Sequence, residues 1–192
     1  MNILSWDGRL FRLIHVGLHV RALDQFLLYV TYSGDGAAQA VALALALLVP
    51  RSRALGLFGL ASWATTGITR LLVVEWVGRE RPSNFAFAHA LEDIKGFTSF
   101  PSGHTSTSVA LAVSAALFFR GTPRRWIGYL ALSWACLVGF SRVYVGVHYP
   151  FDVVGGAAFG TMMTCVVSLV CDRNGWLRTR SNEVATTTAA ST

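Results

Sequence analysis

Residues 150–171 read PFDVVGGAAFGTMMTCVVSLVC, twenty-two residues with one charged side chain, Asp152, near the front. A helix crossing a bilayer needs about 20 mostly apolar residues, so this run reads as a membrane span. Pro150 suits a first helical turn and places Asp152 in that turn. Other runs of this kind occupy 54–77, with Arg70 and Glu75 inside, and 103–119. The run 126–141 is short unless its flanks join it. Residues 22–49 are also long enough, but Ser33-Gly34-Asp35-Gly36 interrupts them and predicts two half-helices. At the front, residues 4–19 read LSWDGRLFRLIHVGLH. Apolar residues at helical spacing with Arg9, Arg12, His15 and His19 among them predict a helix at the membrane interface, not a cleavable signal. The fold class is therefore all-α. It is a polytopic membrane helix bundle of about five to six transmembrane helices with an N-terminal interfacial helix. Residues 1–172 form one membrane-embedded domain. From residue 173 the chain turns polar, which predicts a disordered cytoplasmic tail over 173–192.

Composition agrees with a lipid environment. The 192 residues are 53% apolar and 14% charged. Soluble domains carry about 25% charged residues. Net charge is +6, and Lys95 is the one lysine beside fifteen arginines. Those arginines lie between apolar runs, not along one polar face, so membrane topology and anion binding account for them better than nucleic acid. Arg51 and Arg53, then Arg120, Arg124 and Arg125, then Arg173, Arg178 and Arg180 fall on one side of a five-span bundle. The positive-inside rule makes that side cytoplasmic. Arg9 and Arg12 then fall outside, a conflict that a sixth span would remove. Cys136, Cys165 and Cys171 show no paired spacing and read as small apolar residues.

Three clusters on the opposite side hold the chemistry. Gly78-Arg79-Glu80-Arg81-Pro82 closes the second run; guanidinium groups there match phosphate oxygens in geometry and charge. Ser99-Phe100-Pro101-Ser102-Gly103-His104 opens the third. Its Pro and Ser are ordinary caps, yet a helix N-terminus also offers N–H groups and a positive dipole end to an anion. His104 beside such an anion can protonate a leaving oxygen. Ser141-Arg142-Val143-Tyr144-Val145-Gly146-Val147-His148-Tyr149-Pro150-Phe151-Asp152 closes the fourth and opens the fifth. Asp152 can reach back to His148, fix its tautomer, and leave the other ring nitrogen free to attack. Each cluster alone has a structural explanation as an anchor, a cap or an ion pair. Ionisable groups at membrane depth are costly, however, and a single phosphate site accounts for all three clusters together.

These clusters resemble the signature of the type 2 phosphatidic acid phosphatase superfamily: K-x6-R-P, then P-S-G-H, then S-R-x5-H-x3-D. The second and third match without departure. The resemblance implies His148 as nucleophile, forming a phosphohistidine, with Asp152 orienting it and His104 as acid and then base. It implies that Arg81, Ser102, Gly103 and Arg142 hold the phosphoryl oxygens, and that no cofactor or metal takes part. One position departs: Val74 stands where the family has its lysine. Arg70, one helical turn earlier, is a candidate replacement, as are Arg79 and Lys95.

The small size and the Arg-Glu-Arg-Pro cluster resemble the bacterial undecaprenyl-diphosphate phosphatases of that superfamily. The expected partners are a lipid phosphate substrate and membrane lipids, with no nucleic acid. Phe85, Phe87 and Phe97 are expected either to touch the lipid chain or to anchor their loop. The expected location is a bacterial inner membrane with the site facing outward. Phosphatidylglycerophosphate, phosphatidic acid and lipid A phosphates are the alternative substrates. Vanadium haloperoxidases share the motifs but are soluble and larger. A small transporter or scaffold is the competing non-enzymatic reading, against which the chain shows no internal repeat.

Overall fold

The structure, a computed structural model, describes residues 3–85, 88–92 and 96–173. Lys95, Phe87 and the tail beyond 173 lie outside the described residues. Among the described residues seven α-helices run in order: α1 (Ile3–His15), α2 (Arg21–Ser33), α3 (Gly36–Leu48), α4 (Arg53–Val77), α5 (Gly103–Phe118), α6 (Arg125–Tyr144) and α7 (Pro150–Arg173). Three of them, α4, α6 and α7, are long and apolar enough to cross a membrane. The 22–49 run divides into α2 and α3 as its sequence predicts. Gly34 ends α2, and Asp35 caps α3 by accepting from the Ala37 N–H at 3.1 Å. The 126–141 run gains both flanks and becomes the twenty-residue α6.

The 103–119 run forms α5, whose 16 residues span only about 24 Å. It is packed against α4, α6 and α7, and much of its surface is Ser, Thr and Ala. Small residues let the neighbouring backbones come close. Gly156 and Gly160 of α7 lie against the Ser102–Ser106 turn of α5; a Cβ at Gly160 would stand 2.2 Å from the Ser106 carbonyl oxygen. Buried hydroxyls in this seam find backbone acceptors, as Ser106 does on Ser102 and Thr164 on Gly160. Gln39 docks α3 on the same helix: its amide donates to Ser108 Oγ and accepts from Trp63 Nε1 of α4.

The C-terminal ends of α4 and α6 and the N-terminal ends of α5 and α7 meet at one pole of the bundle. The described residues of the segment 79–99 lie across that pole. It pairs with itself through Arg81 N–H to Phe97 O and Ser99 N–H to Arg79 O, and it is tied to α6 by Leu91 N–H to Val145 O. The amphipathic α1 lies beside the same pole, with Asp7, Phe11 and His15 buried and Trp6, Leu10 and Leu13 exposed.

Gly160→Leu is expected to destabilise the bundle by about 3 kcal/mol or more, because a backbone carbonyl cannot give way. Gly67→Ala, with nothing within 4 Å of the new methyl and a helix-interior site, is expected to leave the melting temperature in detergent no lower than wild type.

Candidate active site

A cavity of about 300 Å³ opens at the pole where the four helix ends meet. Its polar lining comes from Arg70 of α4, Arg81, Gly103, His104 and Thr107 of α5, Arg142 of α6, and His148. Gly34, Gly36 and Gly67 form its apolar wall. Gly34 has to be small: a Cβ there would come 2.6 Å from Val138 and 3.3 Å from the His104 ring. The break between α2 and α3 therefore lets the chain pass directly over His104.

His148 sits in the short turn between α6 and α7 and is almost wholly buried. Arg81 Nη1 lies 3.1 Å from its Nε2. A guanidinium can only donate, so Nε2 is the acceptor and the ring proton is on Nδ1. That nitrogen faces Asp152 Oδ2 at 3.4 Å. The same carboxylate oxygen accepts from the Tyr149 N–H at 2.9 Å, closing the first turn of α7 in the manner of a capping box. Burial, then the charges of Arg142, Arg81 and Arg70, hold the His148 pKa well below the ordinary imidazole value; a backbone hydrogen bond with Ser99 works the other way. His148 is therefore neutral at pH 7, with its Nε2 lone pair directed at Arg81.

The three arginines crowd one another. Burial, then Arg142 and Arg70, lower the Arg81 pKa to about 10. Arg142 Nη1 donates to Thr31 Oγ1 of α2 and to Glu92 Oε2, both at 2.6 Å. Arg70 Nε donates to the Pro101 carbonyl at 2.8 Å, and its guanidinium lies against Gly103. Three buried nitrogens here, Arg81 Nε, His104 Nε2 and Arg142 Nε, have no hydrogen-bond partner among the described residues. Orphaned buried polar groups of this kind are rare and costly. Two of these are guanidinium donors, and the first N–H groups of α5, which begins at Gly103 in the cavity wall, also lack intrahelical acceptors. The arrangement suits a tetrahedral oxyanion resting between Gly103 and the arginines, within reach of both histidines.

The structure brings Arg81, Gly103, His104, Arg142 and His148 together, with Asp152 behind His148. Arg70 joins them, while Val74 is buried in the core. Two residues stand elsewhere. Ser102 is fully buried outside the cavity lining; its hydroxyl bonds Thr105 Oγ1, and its N–H donates to the Asp152 carbonyl. Arg79 does not face the cavity at all. It bridges Asp152 Oδ1, at 2.8 Å, and Asp7 Oδ2, and its guanidinium lies 4.3 Å from the centre of the Tyr149 ring. In the extended segment after Gly78, Arg79 and Arg81 lie two residues apart and project to the same side about 7 Å apart. That spacing sends Arg81 to His148 and Arg79 to Asp152. Asp7, Thr31 and Glu92 escaped the reading of the sequence. Of these, Asp7 had a detectable signal, an acid at i, i+4, i+8 spacing with Phe11 and His15 on the buried face of α1.

Residues 57–176 match the family model of the PAP2 superfamily. An undecaprenyl-diphosphatase of Bacillus subtilis is 34% identical over 152 residues, covering 76% of this chain and 74% of that protein. A lipid A 1-phosphatase of Rhizobium johnstonii is 37% identical over 117 residues, covering 58% of this chain and 46% of that protein. The chain thus spans about half the length of that relative. The crystal structure of a transmembrane PAP2-type phosphatidylglycerolphosphate phosphatase from Bacillus subtilis has a TM-score of 0.76 at 25% identity, covering 89% of this chain and 87% of that one.

Arg70→Ala is expected to weaken binding of inorganic orthovanadate about ten- to hundredfold, the worth of one charged hydrogen bond. Unchanged affinity in an equilibrium titration would assign Arg70 to bracing Pro101 alone.

Proposed function

The chain belongs to the PAP2 superfamily, and from that premise we propose that it is a membrane phosphatase acting on a lipid-linked phosphate or diphosphate. The observation that carries the proposal is the set of orphaned donors on Arg81 and Arg142 beside a neutral, buried His148. They supply what phosphoryl transfer asks of a protein, a positioned nucleophile and fixed positive charge around the equatorial oxygens.

In the first step Arg81 exchanges His148 Nε2 for a phosphoryl oxygen. Nε2 attacks phosphorus, the bond to the leaving oxygen breaks, and protonated His104 delivers its proton to that oxygen. A phosphate dianion brought beside His104 favours the protonated ring this step requires. Asp152 balances the charge that develops on the phosphorylated imidazole. In the second step His104 takes a proton from water, the hydroxyl oxygen attacks phosphorus, and the P–N bond breaks to regenerate His148. Arg142, Arg81, Arg70 and the Gly103 N–H hold the phosphoryl oxygens in both steps.

The favoured substrate is undecaprenyl diphosphate, hydrolysed to undecaprenyl phosphate and inorganic phosphate. The support is the Bacillus subtilis relative, which matches this chain over about three quarters of both lengths. Phosphatidylglycerophosphate, phosphatidic acid and lipid A phosphate form the second reading, which the fold neighbour and the lipid A 1-phosphatase favour. By the positive-inside rule, the basic loops at the far pole support a site facing outward from a bacterial inner membrane. Residues 1–172 act as one membrane-embedded unit, with the tail cytoplasmic.

In detergent, the purified protein is expected to release phosphate faster from undecaprenyl diphosphate than from phosphatidic acid. The reverse ranking would sink the substrate assignment. A radiolabelled phosphoenzyme is expected in wild type and absent in His148→Ala; label that survives this change would refute the nucleophile. The pH profile provides a third check. The folded pKa of His148 lies below its unfolded value, so the neutral, reactive ring persists on the acid side of pH 6.5. The limb of kcat/KM that reports its protonation is therefore expected below pH 6.5, and a limb at or above 6.5 that disappears with His148 would contradict the burial argument.

A further inference from the structure

The buried face of α1 reaches the nucleophile through a chain of charges. Asp7 is 1% exposed, yet it carries a carboxylate. Such a group is tolerated inside a protein only when it is paired and fully hydrogen-bonded. Its Oδ1 accepts from the Phe151 N–H at 3.0 Å, in the first turn of α7. Its Oδ2 accepts from Arg79 Nη2. The other end of that guanidinium, Nη1, donates to Asp152 Oδ1 at 2.8 Å. The second oxygen of Asp152 remains for Tyr149 N–H and for His148 Nδ1.

Sharing Arg79 between two carboxylates has a chemical consequence. A guanidinium offered one carboxylate tends to bind both of its oxygens in a bidentate pair. Were Asp152 its only anion, Arg79 would draw both oxygens and turn the carboxylate off His148. Asp7 holds one arm of Arg79, so Asp152 gives up one oxygen to it and keeps the other on the imidazole. Asp7 also offsets the Arg79 charge, leaving Asp152 more able to stabilise the cationic ring formed when His148 is phosphorylated. The helix bearing Asp7 is fixed for this task. One turn on, Phe11 is fully buried against the Tyr149 ring, 5.4 Å between centres. A further turn on, His15 Nδ1 lies 2.7 Å from the Tyr144 carbonyl, and its ring fills the space beside Gly146, whose φ of +87° and contact leave no room for a side chain.

We propose that Asp7 is a positioning residue of the phosphatase site, acting through Arg79 to hold Asp152 on His148, so that α1 is part of the catalytic apparatus. The proposal rests on His148 being the nucleophile, which the phosphoenzyme experiment above tests separately. Asp7→Asn is the discriminating change, because the amide oxygen still accepts from Phe151 N–H while the negative charge facing Arg79 is lost. Rates are normalised to sites that bind orthovanadate, so that loss of folded protein does not count as loss of catalysis. With a lipid phosphate as substrate, Asp7→Asn is expected to lower kcat about ten- to a hundredfold with KM within about twofold of wild type. In an Arg79→Gln background it is expected to cause no further loss, as for two groups acting in series. Wild-type kcat in Asp7→Asn, or the same factor lost again in the Arg79→Gln background, would overturn the proposal. Should Asp7→Asn give no vanadate-binding sites, Asp7→Ser takes its place. It keeps an oxygen acceptor without the charge, and is expected to lower kcat at unchanged KM; wild-type kcat there is equally fatal.

Discussion

The carboxylate of Asp152 is the point on which this structure turns. It closes the first turn of α7 through Tyr149 N–H, receives Arg79 from the end of α4, and faces His148 at the end of the α6–α7 turn. Its backbone carbonyl also receives the Ser102 N–H that opens α5. One residue thus links α4, α5 and α7 to the turn that follows α6. A helix N-terminus leaves its first N–H groups without partners, and an acid in the first turn is the usual remedy. Here the remedy for a helix end and the orientation of the His148 ring share one carboxylate oxygen.

Around that point the pole is strongly cationic. Arg70, Arg81 and Arg142 line one cavity, and burial, then the Arg142 and Arg70 charges, lower the Arg81 pKa. Such an arrangement is unfavourable for the protein alone. It is relieved in part by Glu92 and Thr31 on Arg142 and by the Pro101 carbonyl on Arg70. The remaining orphaned nitrogens carry a cost that an anion bound between them would remove. Burial first, and that same field second, keep His148 neutral, so the charges that would attract a phosphate also leave its Nε2 lone pair free. Glu92 lies on the segment that crosses the pole, and its carboxylate holds Arg142 by the charge that a phosphate oxygen presents.

The apolar runs, the break at Ser33–Gly36 and the motif spacings were legible because each depends on residues close in sequence. Membrane length, helix capping and the four-residue step from His148 to Asp152 are local properties. Less was legible for the arginines. Arg79 and Arg81 look alike in the sequence, two residues apart beside Pro82, yet one holds Asp152 and the other His148. That difference arises from α7 lying beside the segment after Gly78. Ser102 belongs to a motif that matched without departure, but the close packing of α7 on α5 through Gly156 and Gly160 encloses it. The short α5 escapes the length rule because its neighbours, more than lipid, surround it.

The amino-acid sequence by itself determined that this is an all-helical membrane protein with paired histidines, arginines and an acid gathered at one end. Periodicity, span length and charge distribution are one-dimensional properties, and they suffice for that. The tertiary structure alone decided which arginine serves which acid or imidazole. It placed Arg70 in the cavity while Val74 entered the core, set Glu92 on Arg142, and brought Asp7 from the far end of the chain to Arg79. A charged side chain pairs with whatever opposite charge the packing of helices delivers. Asp7 and Arg79 are separated by 72 residues, so no local pattern could announce their contact.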